Sequence, residues 1–532
     1  MKYLTIFLVF IFSSAAFAQT DNKGQSIELP DFVITGVQSL DVPIVKKKKA
    51  ELVPTISEEF LTPTYSPEEF SLSAPSSYIG KKIDLFESVS SFEGGLKIGA
   101  GQHTLPIGEF HFAQNFDNYL FSARAYTKTI KDYIDNAGYQ ISGGSISNDF
   151  YIDTDSEFLP GTKISLAGEY YRDSYKFFGS TVTPTLERKT QNGSANLVIS
   201  NVYGNLFNFG LDFGGRYFTL SDNDFNESVF TGKVFGELKF LHFGVRVDGK
   251  YKIQALKNNP SSVNDYNYYN GKITLKIAPS NALNVSLGAF YSKTSDDSFV
   301  MPVASFNFRL DKNLIMFGSF APYSELLTIT DFATKNRFFD LSNVDNVLLK
   351  DKTNLQLAVK YEFEKYFELN AGVKYSMFDN FLYFEDTALT GKFDVKTEND
   401  VKSISAFMNA IFHVGPMGEF YGKAIVQQVT DSNGDFMPYQ PVIISSLAYA
   451  YNFEFGLGFK LRYDAALNIH ADRTTFTKIN DYHNLTCEVN FKLSDNFEVM
   501  AGLENIMNKE NYILQNYKDK PFDIIGGIYY HW

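Results

Sequence analysis

The sequence holds a single cysteine, Cys487, in 532 residues, so an internal disulfide is impossible and a zinc site built on several thiolates is excluded. Basic residues are outnumbered 48 to 61, a net charge of −13, which excludes a nucleic-acid binder that works by bulk positive charge. After the first twenty residues no apolar run is long enough for a spanning helix, and helical spacing of apolar residues is almost absent. A helical membrane protein is thereby excluded. The seven histidines, His103, His111, His242, His413, His470, His483 and His531, are scattered, and none has a carboxylate or second histidine at ligand spacing, so no metal site is expected. No Gly-rich phosphate loop precedes a helix and no Gly-x-Ser-x-Gly elbow occurs. The chain therefore reads as a non-enzyme without a cofactor; a surface hydrolase that assembles Ser and His from different strands is a reading that a screen on ester and peptide substrates would test.

What is present is aromatic and alternating. Phenylalanine (52) and tyrosine (33) are abundant beside a single tryptophan, and 44% of residues are hydrophobic, too many for a disordered chain. Met1-Lys2, the apolar stretch Leu4 to Phe12 and Ala16-Phe17-Ala18 form the charged, apolar and small-x-small regions of a secretory signal peptide, so residues 1–18 are expected to be removed. Residues 19–88 carry Pro30, Pro43, Pro54, Pro63, Pro67 and Pro75 without hydrophobic periodicity, and Lys46 to Lys49 form a solvated basic run; the segment reads as a disordered, Pro-rich periplasmic tail.

From residue 89 to 532 the dominant period is two, which sends successive side chains to opposite faces of a strand. Leu355, Leu357, Val359, Tyr361 and Phe363 alternate with Gln356, Ala358, Lys360 and Glu362; Phe455, Leu457, Phe459, Leu461 and Tyr463 alternate with Gly456, Gly458, Lys460, Arg462 and Asp464. Many runs reach ten residues or more, longer than the strands of a soluble sandwich and suited to a tilted crossing of a bilayer. Ten candidate tight turns lie near Asp117-Asn118, Asp153 to Gly161, Tyr203 to Asn205, Leu241-His242, Pro279 to Asn281, Asp311 to Asn313, Glu364 to Tyr366, Gly415 to Gly418, Tyr451 to Phe453 and Ser494 to Asn496. Ten turns on the side of both termini imply 22 strands. The expected fold is all-β: a transmembrane antiparallel barrel of about 22 strands, with 18 or 20 as alternatives because the strands before residue 160 are the weakest in pattern.

The C-terminal stretch agrees. Phe522, Ile524, Gly526, Ile528, Tyr530 and Trp532 share one parity, and Gly527, Tyr530 and Trp532 are similar to the terminal signal by which outer-membrane barrels are recognised by the assembly machinery. Three further stretches resemble the TonB-dependent receptors, 22-stranded outer-membrane transporters with a plugged lumen. Ser319-Phe320-Ala321-Pro322 with Glu325-Leu326, a long loop, Leu349-Lys350 and Thr353-Asn354 look like the mid-barrel signature, departing from it at Asp351-Lys352. Gly502 to Lys509 and Tyr512 look like the segment leading to the last external loop. In the tail, Asp31, Phe32, Val33, Ile34, Thr35 and Gly36 look like a TonB box, which implies strand pairing with a TonB-like periplasmic coupling protein.

One departure matters. Only about fifty residues separate Gly36 from the first strand, too few for the folded plug the resemblance implies, so the lumen must be filled by inward loops, by the tail or by another chain. The segment Ala321 to Lys350, with Phe338, Phe339, Leu341 and Val344, is the first candidate for an inward loop, and an external binding loop is equally allowed by the sequence. Charged residues on the polar face, among them Arg216, Arg246, Lys360, Glu362, Lys374, Arg462 and Asp464, are candidates for lining the lumen, either binding a polar solute or compensating one another. The sequence thus points to a plugless receptor-like barrel in the outer-membrane lipid that takes up a small solute, or alternatively to a non-transporting scaffold that recruits a periplasmic or assembly partner.

Overall fold

A computed structural model describes residues 92–532 except Asp117, 202–203, 205, 222–223, 241, 261–263, 296, 364–365, 387, 414–417 and 474–476. The signal peptide, the Pro-rich tail and the box-like segment 31–36 lie outside the described residues.

The wall is one antiparallel sheet closed on itself. Twenty-two strands form it, from Phe92–Gly101 to Asp523–His531, and these two pair from Gly95 opposite His531 to Gly101 opposite Ile525. The sheet includes two more strands, Tyr323–Leu327 and Val347–Asp351, which form a hairpin joined to the wall where Lys350 and Asp351 face Asp379 and Phe378. Each of the ten expected turns overlaps a junction between wall strands on the side of the first strand's start. The largest displacement is at Tyr451 to Phe453, where the strand runs on to Asn452 and the turn occupies 453–456. Both ends of the described chain share that turn side, and eleven connections occupy the other, from the two residues 102–103 to the long segment 321–354.

Alternation decides which residues face out. Val247 and Ile273 stand opposite each other in adjacent strands and are 52% and 54% exposed, while their neighbours Arg246, Asp248 and Thr274 point inward. On Phe207–Leu220 the exposed Phe207 and Tyr217 are ten residues apart, about 33 Å along the strand and about 25 Å after a tilt of about 40°, the height of the apolar band of a membrane barrel. Aromatic contacts repeat at the turn side: Phe240 on Phe243 at 4.6 Å, Phe367 on Phe412 at 4.5 Å, Tyr451 on Phe453 at 4.5 Å. Such girdles place amphipathic rings where headgroups meet acyl chains.

Among the described residues there is one α-helix, Ile329–Lys335, inside the segment 321–354 that links wall strands Leu314–Phe320 and Leu355–Phe363. Asp331 accepts from the Thr328 N–H and hydroxyl, both at 2.8 Å, which anchors the start of the helix.

Closure depends on small residues at the seam. The backbones of Gly94 and Trp532 exchange hydrogen bonds of 3.2 and 3.0 Å, and a side chain at Gly94 would collide with the Trp532 indole. Gly215, in contrast, faces open space. Gly94→Val is expected to destabilise the closed barrel by about 1–3 kcal/mol and lower its unfolding temperature in heat-modifiability gels, whereas Gly215→Ala stays within about 0.5 kcal/mol of the parent.

Candidate functional site

The candidate site is the lumen together with the loops that close it. Its wall carries charges of both signs, largely paired. Arg246 meets Asp248 at 2.8 Å and Glu237 at 3.7 Å, Lys276 meets Glu237 at 2.6 Å, and Lys233 meets Asp212 at 2.8 Å. Lys360 bridges Glu362 at 2.7 Å and Glu368 at 3.1 Å. Arg462 and Asp464, both buried, pair at 2.9 Å. Lys374 stands between Gln356 and Ser405 in the register. Arg216 differs: its guanidinium donates to the Thr328 hydroxyl at 2.6 Å and lies 3.6 Å from Asp331, in the loop rather than the wall. The sequence-selected residues thus fall into separate pairs round the wall and do not converge on one pocket. Most of these pairs are partly hydrated, so each adds little stability, and their combined effect is a lumen without a dominant sign.

The terminal residues lie at the seam. Gly527 faces Gly99, where a Cβ would approach the Ile98 carbonyl to 2.8 Å; Tyr530 and Trp532 are half-exposed on the outer face and stack at 5.7 Å.

The segment 321–354 folds over the lumen. It is rooted at the thirteenth wall strand, yet its partners lie on strands five to ten. Glu227, fully buried on Phe225–Lys239, accepts from the N–H groups of Ile329 and Thr330 at 2.8 and 3.0 Å, from the Thr330 hydroxyl at 2.5 Å and from Gln254 at 2.7 Å. Lys252 donates to the Leu326 carbonyl at 2.7 Å, and Tyr268 donates to that of Ser324 at 2.6 Å. The buried Arg188 guanidinium donates to the carbonyls of Arg337 and Phe339 at 3.0 and 2.9 Å and lies over the rings of Phe177 and Phe339. Arg337 pairs with Asp173 at 3.3 Å.

Between these clamps the loops share an apolar core. Phe338 stacks on Tyr517 at 3.7 Å and meets Tyr175 edge-on at 5.4 Å; Phe339, Phe393 and Leu341 complete the centre. The Tyr517 hydroxyl donates to the Gly391 carbonyl at 2.6 Å, tying the loops 380–400 and 505–522 together. Arg473 draws in two more loops by pairing with Glu398 and Asp431. The sequence allowed 321–350 to turn inward or to stand as an external binding loop; in the structure it turns inward, and at least five other connections, 177–186 among them, join it in one cap. Arg188, Glu227, Lys252 and Tyr268 were missed as well. The signal for them was their inward parity within a few residues of the loop-side end of their strands.

Among the described residues no group of three or more His, Cys, Asp or Glu could hold a metal ion.

Solved structures share this architecture. A mutant of the ferric enterobactin receptor of Pseudomonas aeruginosa aligns with a TM-score of 0.62 at 8% identity, over 84% of this chain and 81% of that one. The siderophore receptor PiuA of Acinetobacter baumannii and the FrpB iron transporter of Neisseria meningitidis each align at 0.61 and 11% identity, over 84% of this chain and 82% of theirs. Its barrel has the fold of the TonB-dependent receptors. No family model matches the sequence, and no curated protein matches it. With so little identity, the shared property is the receptor-type barrel itself.

Two outcomes are expected for the cap. Glu227→Ala leaves two buried helix N–H groups without an acceptor, at a cost of about 1–3 kcal/mol, and raises tryptic cleavage after Lys335 and Arg337 at least about fivefold. Burial opposes charge on Asp331, but Lys252, Arg216 and the Thr328 N–H outweigh it and hold its carboxyl below the usual carboxylate range. A carboxyl depressed in the folded state stabilises it above the unfolded value of about 4, and that contribution is lost as pH falls through the folded value. Cleavage by an acid-tolerant protease within 321–354 should therefore rise below about pH 4, and the rise should be smaller in Asp331→Asn.

Proposed function

We propose that this chain is an outer-membrane receptor-type barrel that admits a small solute through its lumen and is driven by a TonB-like coupling protein bound at Asp31 to Gly36. The observation that carries this reading is a closed 22-strand wall whose outer mouth is shut by its own loops through polar clamps rather than by covalent links. A passage that is closed at rest and held by hydrogen bonds suits regulated uptake better than free diffusion. The segment 31–36 supports the coupling: it is β-prone, carries one charge, and has the composition that strand addition requires. The short stretch between Gly36 and the first strand supports a barrel without a folded plug.

The names of the similar receptors point to a siderophore as the first solute to test. The mixed-sign lumen suits a solute with polar groups of both kinds. The well-packed aromatic core of the cap favours a second reading, a scaffold barrel whose loops never open and whose tail recruits a periplasmic or assembly partner.

Deleting residues 31–36 separates the two. Transport predicts that the deletion abolishes capture of the host's periplasmic coupling protein and energy-dependent accumulation of ferric siderophore, while heat-modifiable barrel mobility is retained. Unchanged capture would overturn the coupling, and absence of accumulation by the parent protein across siderophore classes would favour the scaffold.

A further inference from the structure

The closing seam is tied differently at its two ends. On the loop side the buried Asp523 carboxylate accepts from the His103 N–H at 2.9 Å, the Thr104 hydroxyl at 2.6 Å and Lys520 at 2.6 Å, so the second strand and the loop 505–522 are bound to the last strand through one anion. On the turn side the backbones of Gly94 and Trp532 pair, and on the lumen face beside them stand His111, Tyr529 and His531.

The register sets this trio. Gly95, on the first strand, faces His111 on the second and His531 on the last. Their neighbours Phe110, Tyr530 and Trp532 are exposed on the outer face, so by alternation all three side chains turn to the lumen. Because Gly95 has no side chain, the rings on either side fold over it: a Cβ there would lie 2.4 Å from the His111 ring and 2.7 Å from the Tyr529 hydroxyl. That hydroxyl and His111 Nε2 share a hydrogen bond of 3.2 Å, and the two rings stack at 5.9 Å. The His531 ring lies 5.1 Å from that of Tyr529, and its Nε2 is enclosed without a hydrogen-bond partner. His111 and Tyr529 are 418 residues apart in sequence, so no local spacing announces the cluster.

We propose that His111, His531 and Tyr529 bind one divalent transition-metal ion, which clasps the second and last strands together across the first. Two imidazoles and a phenol suit an ion such as Zn²⁺ or Cu²⁺, not the oxygen-seeking Ca²⁺ or Mg²⁺. Two donors held at about 2.0–2.1 Å from one tetrahedral ion stand about 3.3 Å apart. His111 Nε2 and the Tyr529 oxygen already stand at 3.2 Å. Rotation of the His531 ring gives its orphaned Nε2 the partner it lacks. Glu109, two residues from His111 on the same face, is engaged by Arg124 at 2.6 Å, so the phenol supplies the anionic donor: its proton passes to water on binding, and both imidazoles bind as neutral rings. The fourth position is left to water. The clasp is independent of whether the barrel transports.

The test uses the full mature chain without an affinity tag, folded in detergent and freed of metal with a chelator. Calorimetric titration with Zn²⁺ is expected to show one site, weakened at least about tenfold by His111→Gln or His531→Gln. It should be unchanged by His413→Gln, a turn-side histidine that pairs with Glu419 instead. Heat-modifiable mobility verifies the barrel in each variant. Saturating Zn²⁺ should raise the temperature at which the parent loses that mobility, and leave that of His531→Gln where it was. With Cu²⁺ in place of Zn²⁺, nitrogen coupling in the electron paramagnetic resonance spectrum reports the imidazoles and a visible phenolate-to-copper band reports Tyr529. Tyr529→Phe should remove the band and keep the nitrogen coupling. The proposal is overturned if the folded parent takes up no stoichiometric Zn²⁺, if both histidine variants bind as the parent does, if Zn²⁺ leaves the parent's unfolding temperature unchanged, or if the copper band survives in Tyr529→Phe. Should a histidine variant not fold, the parent's copper spectrum decides: two coupled nitrogens support the clasp, and fewer overturn it.

Discussion

A β-sheet in lipid has nowhere to leave an unpaired edge, because no water is present to satisfy its N–H and C=O groups. Every other feature of this chain depends on that constraint. It obliges Phe92–Gly101 to find Asp523–His531 across more than four hundred residues, and glycines line the junction so that Trp532 and the paired backbones can approach. Because the closing pair is antiparallel like all the others, the strand number is even and both ends of the wall lie on one side. Closing 22 strands then creates a lumen too wide for side chains from the wall to fill. The cap and the ion-paired wall are two responses to that width.

The cap resolves the outer mouth with the ordinary means of a soluble core. Loop segments whose backbones would otherwise be stranded receive acceptors and donors from the wall: the Glu227 carboxylate for the first helix N–H groups, Arg188 and Lys252 for loop carbonyls. The aromatic cluster round Phe338 and Tyr517 supplies the apolar burial. Since the clamps join strands five to ten to a loop rooted at strand thirteen, the cap also braces the barrel across its diameter. Opening it would expose both the aromatic core and several buried polar groups.

How much of this was legible differs by scale. The strand number was, because tight turns rich in Asn, Asp, Gly and Lys interrupt period-two runs at a spacing the membrane dictates; even the weakly patterned strands before residue 160 fall into place. The loop 321–350 was half legible: Phe338, Phe339, Leu341 and Val344 mark it as apolar, but an external binding loop fitted the sequence equally, and the fold is what turns it inward. The clamps were not. Glu227 and Thr330 are 103 residues apart and Asp173 and Arg337 are 164 apart, and nothing in local pattern encodes which inward charge will meet which loop. Arg216 shows the limit: its parity placed it in the lumen, but only the fold shows that it serves the loop.

In this structure the chain's own loops shut the outer mouth. The most direct measurement is labelling, in intact Gram-negative cells, of a cysteine placed at Thr231, an inward residue on the strand that carries Glu227, with Cys487 replaced by serine. The maleimide used must be unable to cross the outer membrane. With the cap intact the account predicts labelling slower by at least about tenfold than in a variant whose residues 325–346 are replaced by a short Gly-Ser link. Equal labelling in the two would mean that the mouth stands open with its loops in place, and would contradict the account.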